Sequence, residues 1–214
     1  VVSGLFFFFF VRRVDSDIMG SRESYFNLID DVCRNEVDIL VGTQMLAKGH
    51  DLPGVTLVGV LLADNSLNMP DFRASERTFQ MLTQVAGRAG RGDIPGKVII
   101  QTFQPDHYSI RYALEGDYEA FYEEEAQRRQ AFWYPPFARL ANMRFSGIDP
   151  QKVRQTAMTA GRTAKQMAKT KAFQDKVKIL GPASAPLKRV RGKTRWMMLI
   201  KTDTPQTMSL FCEN

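Results

Sequence analysis

Apolar runs bounded by polar and turn residues recur in the first half of the chain, at about 6–14, 37–41, 55–62 and 97–102. Between them, at about 21–34 and 74–85, apolar positions return every three or four residues. The runs predict strands and the three-to-four spacing predicts helices. Strands alternating with helices predict an α/β unit with a mainly parallel sheet. The runs Asp38-Ile-Leu-Val-Gly42 and Val55-Thr-Leu-Val-Gly-Val-Leu-Leu62 are apolar at successive positions, which predicts a sheet covered by helices on both faces. Phe79, Leu82 and Val85 share one helical face and are predicted core residues.

The pattern changes after residue 111. From about 112 to 132 it is helical and acidic, with Glu123-Glu-Glu125 followed by Arg128-Arg129, until Tyr134-Pro-Pro-Phe137 stops it. A strand is predicted at 139–146. Asp149-Pro150 then caps a basic helix to about 171. Two further strands, at 176–180 and 195–202, are joined by a loop over 181–194. Thr204-Pro205 opens an element that the pattern leaves unfinished, as in an α+β domain without its last helix and strand. The resulting division is 1–110 for the α/β unit, 111–135 for a connecting acidic helix and 136–214 for a basic α+β domain.

Charge sharpens that division. The net charge of +6 over 214 residues hides an acidic part and a basic part. Residues 1–135 hold 13 Lys/Arg against 19 Asp/Glu, and residues 136–214 hold 16 against 4. A basic half of this density points to a polyanion partner, most often nucleic acid. Cys33 and Cys212 stand far apart with no CxxC pair, so neither a disulfide scaffold nor a zinc site is expected in this chain, and a reducing cytoplasm is. The run Phe6 to Phe10 is too short to span a bilayer, which takes about 20 apolar residues. It lacks the flanks of a signal peptide and is read as a buried strand ending near Val14. No membrane partner is expected.

Two segments carry candidate chemistry. Gln84-Val-Ala-Gly-Arg-Ala-Gly-Arg91 places Arg88 and Arg91 three residues apart, each behind a glycine, Gly87 and Gly90. Glycine lets the backbone approach a ligand, and arginine offers a planar fork for phosphate oxygens. Guanidinium groups delivered this way suit the terminal phosphate of a nucleotide. Val41-Gly-Thr-Gln-Met-Leu-Ala-Lys-Gly-His-Asp-Leu-Pro53 follows a predicted strand, at the end that faces the crevice of a parallel sheet. Thr43, Lys48 and Gly49 suit contact with a sugar-phosphate backbone. Asp51 suits either a ribose hydroxyl or the orientation of Arg88, and His50 is read as a polar loop residue. Before the glycine-rich segment, Asp71 or Ser75 is the predicted helix cap, and Arg73, Glu76 and Arg77 are read as a structural ion-pair cluster. In the basic domain Lys188, Arg189, Arg191, Lys193 and Arg195 crowd one loop and end on Trp196, a pattern for tracking phosphates. Trp196 itself begins the apolar run 196–200 and is read as a strand core residue.

The segments GTQ…KGHDLP and PDFRASERTFQMLTQVAGRAGR, at this spacing, resemble the second motor lobe of superfamily 2 helicases. The resemblance is nearest to the replication-restart helicases of the primosomal protein N′ family, and it runs from about residue 11 to 201. It implies a RecA-like lobe of the P-loop NTPase type, followed by a small α+β DNA-binding domain. It implies that Arg88 and Arg91 act as arginine fingers, with Gln84, Gly87, Gly90 and Asp51 at the nucleotide. Thr43, Lys48 and Gly49 then lie near DNA or the lobe interface. Tyr134-Pro-Pro-Phe137 and the stretch 181–196 resemble that family's C-terminal domain.

The implied activity is ATP-dependent 3′–5′ DNA unwinding in primosome assembly at stalled forks. Its implied partners are forked or single-stranded DNA, single-strand-binding protein and other primosome proteins. ATP and magnesium are the implied cofactors, and zinc is expected elsewhere in the family. The chain departs from the family where it has no GxxxxGK[ST], no Asp-Glu box and no cysteine-rich segment. It is therefore expected to be a fragment cut at both ends and to hydrolyse no ATP alone. The alternative is a stand-alone nucleic-acid-binding module whose motor lobe serves as scaffold.

Overall fold

The computed structural model describes residues 9–14, 22–43, 54–87 and 96–213. The chain divides into two compact units between Phe121 and Tyr122.

In the first unit, β1 (Val11–Val14) pairs in parallel with β2 (Ile39–Gly42), and α1 (Arg22–Cys33) lies between them in sequence. Likewise β3 (Leu57–Val60) pairs in parallel with β4 (Lys97–Ile100), with α2 (Asp64–Leu67) and α3 (Ala74–Ala86) between them. Parallel pairs bridged by helices are what the alternating pattern predicts. Coverage differs from expectation. Ile39, Val41, Leu57 and Ile99 are all more than two-fifths exposed, so these strand faces are not closed over on both sides. Phe9 and Phe10 precede β1 and are also exposed, while Val14 at its end is buried. The remainder of the phenylalanine run lies outside the described residues.

The core of this unit forms on α3. Phe79, Leu82 and Val85 are buried as its spacing predicts. Phe79 stacks on Phe121 at 4.0 Å between ring centroids, and Tyr108, Ile110 and Ala113 join the same cluster. Asp71 accepts from the Arg73 amide and pairs with Arg77 at 3.0 Å, whereas the N-cap, Arg73, makes no side-chain cap. The single acidic helix expected over 112–132 is two helices, α4 (Tyr108–Glu115) and α5 (Tyr118–Ala131). Gly116 adopts the left-handed conformation that ends α4, with φ of 70°.

In the second unit, β5 (Arg139–Gly147), β6 (Val177–Val190) and β7 (Lys193–Thr202) form an antiparallel sheet in the order β5-β7-β6. Helix α6 (Pro150–Met167) starts at Asp149, whose carboxylate accepts from the amides of Gln151 and Lys152. Val153, Ala157, Gly161 and Ala164 make its buried stripe. The element expected to open at Thr204-Pro205 is a helix, α7 (Pro205–Glu213). The Thr204 hydroxyl accepts the amide of Thr207, and Phe211 is buried edge-on to Phe173. The loop expected over 181–194 is instead an ordered hairpin. Its prolines, Pro182 and Pro186, fall on β6, an edge strand, where a missing amide costs no ladder bond.

Candidate functional site

Two of the residues expected to face a nucleotide, Gln84 and Gly87, lie at the C-terminal end of α3. The buried stripe of Phe79, Leu82 and Val85 fixes the helix and turns Gln84 outward, where it is exposed in the last turn. Gly87 closes the helix in right-handed conformation, its amide donating to the Thr83 carbonyl at 3.0 Å. Gln84 and Gly87 are thus brought to one exposed helix end. Arg88, Gly90 and Arg91, and also Lys48, Gly49, His50 and Asp51, lie outside the described residues. Thr43 directly follows β2 and is exposed at the end of that strand.

Asp64 has a role that the sequence pattern did not single out. It is buried and opens α2, beside the end of β3. Its carboxylate accepts the Thr102 hydroxyl at 2.8 Å and the Phe103 amide at 2.9 Å, beyond the end of β4. The Phe103 amide foremost holds the carboxyl below the usual carboxylate range. Asp64 therefore ties together the carboxyl ends of two parallel strands.

The basic residues of the second unit sit on the β6–β7 hairpin. Its turn is Arg191-Gly192, both with positive φ, 48° and 77°. Two such residues between paired Val190 and Lys193 make the mirror-image turn that matches strand twist. Arg189 braces the turn through Nε, which donates to the Gly192 carbonyl at 3.3 Å. Lys188, Arg189, Arg191 and Lys193 are exposed around it. The ladder slips between Ser184 and Arg189, so residues 185–188 stand against Arg195 alone and bulge outward. Arg195 and Trp196 are half-buried on β7, and Trp196 is paired with Phe145. All five candidate cations are thus drawn to one end of the sheet, on a hairpin rather than a loop.

The opposite end of the sheet holds a cluster invisible in the linear pattern. Lys178 and Lys201 face each other across β6 and β7. The Lys178 ammonium lies 4.7 Å from the Trp133 ring centroid, and that of Lys201 lies 3.4 Å from the Tyr134 ring. Lys201 is buried and donates to the Phe132 carbonyl at 2.9 Å. Burial first, and then Lys178, lower its proton affinity. The ring faces offset part of that penalty. Strand register pairs the two lysines and the segment after α5 lays the two rings on them, so spacing gave no sign of the cluster.

Among the described residues no group of His, Cys, Asp and Glu is arranged to hold a metal ion, and Cys33 and Cys212 are both free and exposed. None of the described helices is long and apolar enough to cross a membrane.

Comparison with known proteins places both units. Residues 11–93 match the helicase conserved C-terminal domain family, and residues 130–211 match the primosomal protein N C-terminal domain family. The chain is 45% identical over 191 residues to replication restart protein PriA of Bacillus subtilis, covering 89% of this chain and 23% of that protein. It is 42% identical over 189 residues to replication restart protein PriA of Synechocystis, covering 88% and 22%. The chain thus spans about a quarter of the length of these curated relatives. Among solved structures, the C-terminal domain of the DEAD-box protein Dbp5 matches at 21% identity, covering 55% of this chain and 66% of that one, with a TM-score of 0.33. That likeness is too loose to add weight, and the RecA-like assignment rests on the family match and the parallel strand pairs. The chain thus matches a helicase conserved C-terminal domain family and then a primosomal protein N C-terminal domain family, and over most of its length it is similar to replication restart proteins PriA.

Proposed function

We propose that this chain supplies half of an ATP site and a DNA-binding domain to an ATP-dependent helicase of replication restart. The observation that carries this reading is the tandem match, a motor-lobe family followed in the same chain by a primosomal family. In the proposed division, 1–110 is the motor lobe, 111–135 the connection and 136–214 the DNA-binding domain. ATP supplies a phosphoanhydride whose cleavage drives movement, with magnesium balancing its charge. The exposed end of α3 fits a nucleotide-facing role, because Gln84 is free of the core and Gly87 adds no side chain. Arg88 and Arg91, next along the chain, would stabilise charge developing on the transferred phosphoryl group. Gly90 leaves them room, and Asp51 orients Arg88 or a ribose hydroxyl. Thr43, at the end of β2, and Lys48 and Gly49, which follow it in sequence, touch the DNA backbone. Forked or single-stranded DNA is the proposed substrate, 3′ to 5′ the proposed direction, and single-strand-binding protein with other primosome proteins the proposed cytoplasmic partners. Zinc has no proposed place in this chain.

Lys188, Arg189, Arg191, Lys193 and Arg195 bind phosphates without reading bases. Reversing Arg189, Arg191 and Lys193 together is expected to weaken binding to all sequences alike. It should also flatten the plot of log affinity against log salt, by about 0.7 for each single-strand phosphate that is no longer neutralised. A triple variant with the parent's affinity and salt slope would place the DNA surface elsewhere. A loss confined to one sequence would indicate base recognition instead.

A further inference from the structure

The β5–β7–β6 sheet has two faces of different character. Met198, Ile200 and Thr202 of β7 are buried, and the first two share a core cluster with Ala164 of α6 and Phe211 of α7. Side chains alternate along a strand, so Lys193, Arg195, Met197, Leu199 and Lys201 occupy the other face. Register adds Asn142, Arg144 and Ser146 from β5, and Lys178 and Leu180 from β6. Asn142, Arg144, Ser146 and Lys178 are exposed, and Leu180 is 46% exposed.

The layout of this face is specific. Arg144 and Arg195 are diagonal neighbours at the hairpin end, with Lys193 beyond them. Lys178 and Lys201 form a row at the far end, under Trp133 and Tyr134. Leu180, Met197 and Leu199 lie between. Lys178 is the exposed cation at the far end; it is level with the buried Lys201, about 20 Å from Arg195 at 3.3 Å per residue. None of these face positions carries a carboxylate.

We propose that this open sheet face is a track for a single-stranded nucleic acid, running from the hairpin bulge to the Trp133–Tyr134 strap. It rests on the reading that the second unit binds DNA, and it moves the main contact from the hairpin tip to the sheet. Charge complementarity commits the face to a polyanion. Its apolar middle selects a single strand, because unstacked bases have faces to lay on Leu180 and Met197, whereas a duplex hides them in its stack. An acidic peptide fits less well, since peptides add along sheet edges through backbone hydrogen bonds.

The test uses the 214-residue chain and fluorescent oligothymidylate, with binding read by anisotropy across a salt series. Three variants are compared: Arg144→Glu with Arg195→Glu, their Gln counterparts, and a tip triple of Lys188→Glu, Arg189→Glu and Arg191→Glu. Both face variants should bind more weakly and lower the salt slope by about 1.4, two phosphates at about 0.7 each. In a Trp196→Phe background Trp133 is the sole tryptophan, and its emission should change along the same isotherm. If the face variants keep the parent's affinity and slope while the tip triple loses binding, the track is wrong and the DNA reading stands. If the Glu pair loses binding but the Gln pair does not, repulsion rather than contact explains the loss, and the track is overturned. A parent chain that binds polyglutamate but no oligothymidylate at low salt overturns both readings.

Discussion

Asp64 shows how a residue with no motif comes to matter. One carboxylate receives both the Thr102 hydroxyl and the Phe103 amide. These bonds favour its ionised form, so its folded pKa lies below the unfolded value near 3.9. The unfolded chain then binds the proton more strongly, and stability from Asp64 is present at neutral pH. That stability is lost as pH falls through the carboxylate range towards the folded pKa. Asp64→Asn should therefore be less stable than the parent at pH 7, with the gap narrowing below about pH 4. Urea midpoints across that range measure it, and a gap independent of pH would contradict the assigned hydrogen bonds. The burial of Phe79, Leu82 and Val85 was readable from spacing, because one helix creates that face. The pairing of Lys178 with Lys201, each on its own ring, was not, because it depends on register between distant strands.

At the scale of elements, the departures from expectation follow from tertiary context overriding local signals. Prolines at 182 and 186 read as loop, yet β6 lies at the sheet edge and tolerates them. Gly116 broke a helical pattern that looked continuous, and α4 and α5 each packed a separate aromatic, Tyr108 and Phe121, on the same core. The α5 pair Glu125–Arg129, at 2.7 Å, is largely shielded, and Arg129 also reaches the Pro135 carbonyl at 3.3 Å. The acidic and basic residues at that helix end are thus partly structural.

Helix α6 makes a sharper case. A Cβ on Gly161 would overlap Pro182 Cδ and come within 2.8 Å of its Cγ. Helix propensity alone says that Gly161→Ala gains about 1 kcal/mol. Overpacking against a strand costs about 1–3 kcal/mol and should win. The expected outcome is a lower melting temperature, and a rise would show that α6 does not press on β6 as described.

Over the whole molecule, the division into an acidic first part and a basic second part was legible in charge alone, and the helicase-lobe signature was legible in two spaced motifs. The surface the second unit offers was not, since a loop was expected where the hairpin gives fixed positions to its cations. A motor lobe that brings arginines to a nucleotide still needs a phosphate cradle and a magnesium ligand, and these 214 residues contain neither pattern. The chain alone should show no ATPase activity above buffer, and steady-state turnover abolished by Arg91→Ala would contradict that.

The most direct measurement is made in a longer protein that carries this sequence together with a phosphate-binding loop. Arg88→Ala and Arg91→Ala are compared there with the parent for DNA-stimulated ATP turnover and for DNA affinity without nucleotide. Turnover should fall on the order of 10³-fold, the low end for arginine fingers, with DNA affinity unchanged. A collapse of DNA affinity with turnover per bound enzyme intact would make these arginines DNA contacts and remove the ATP site from the end of α3.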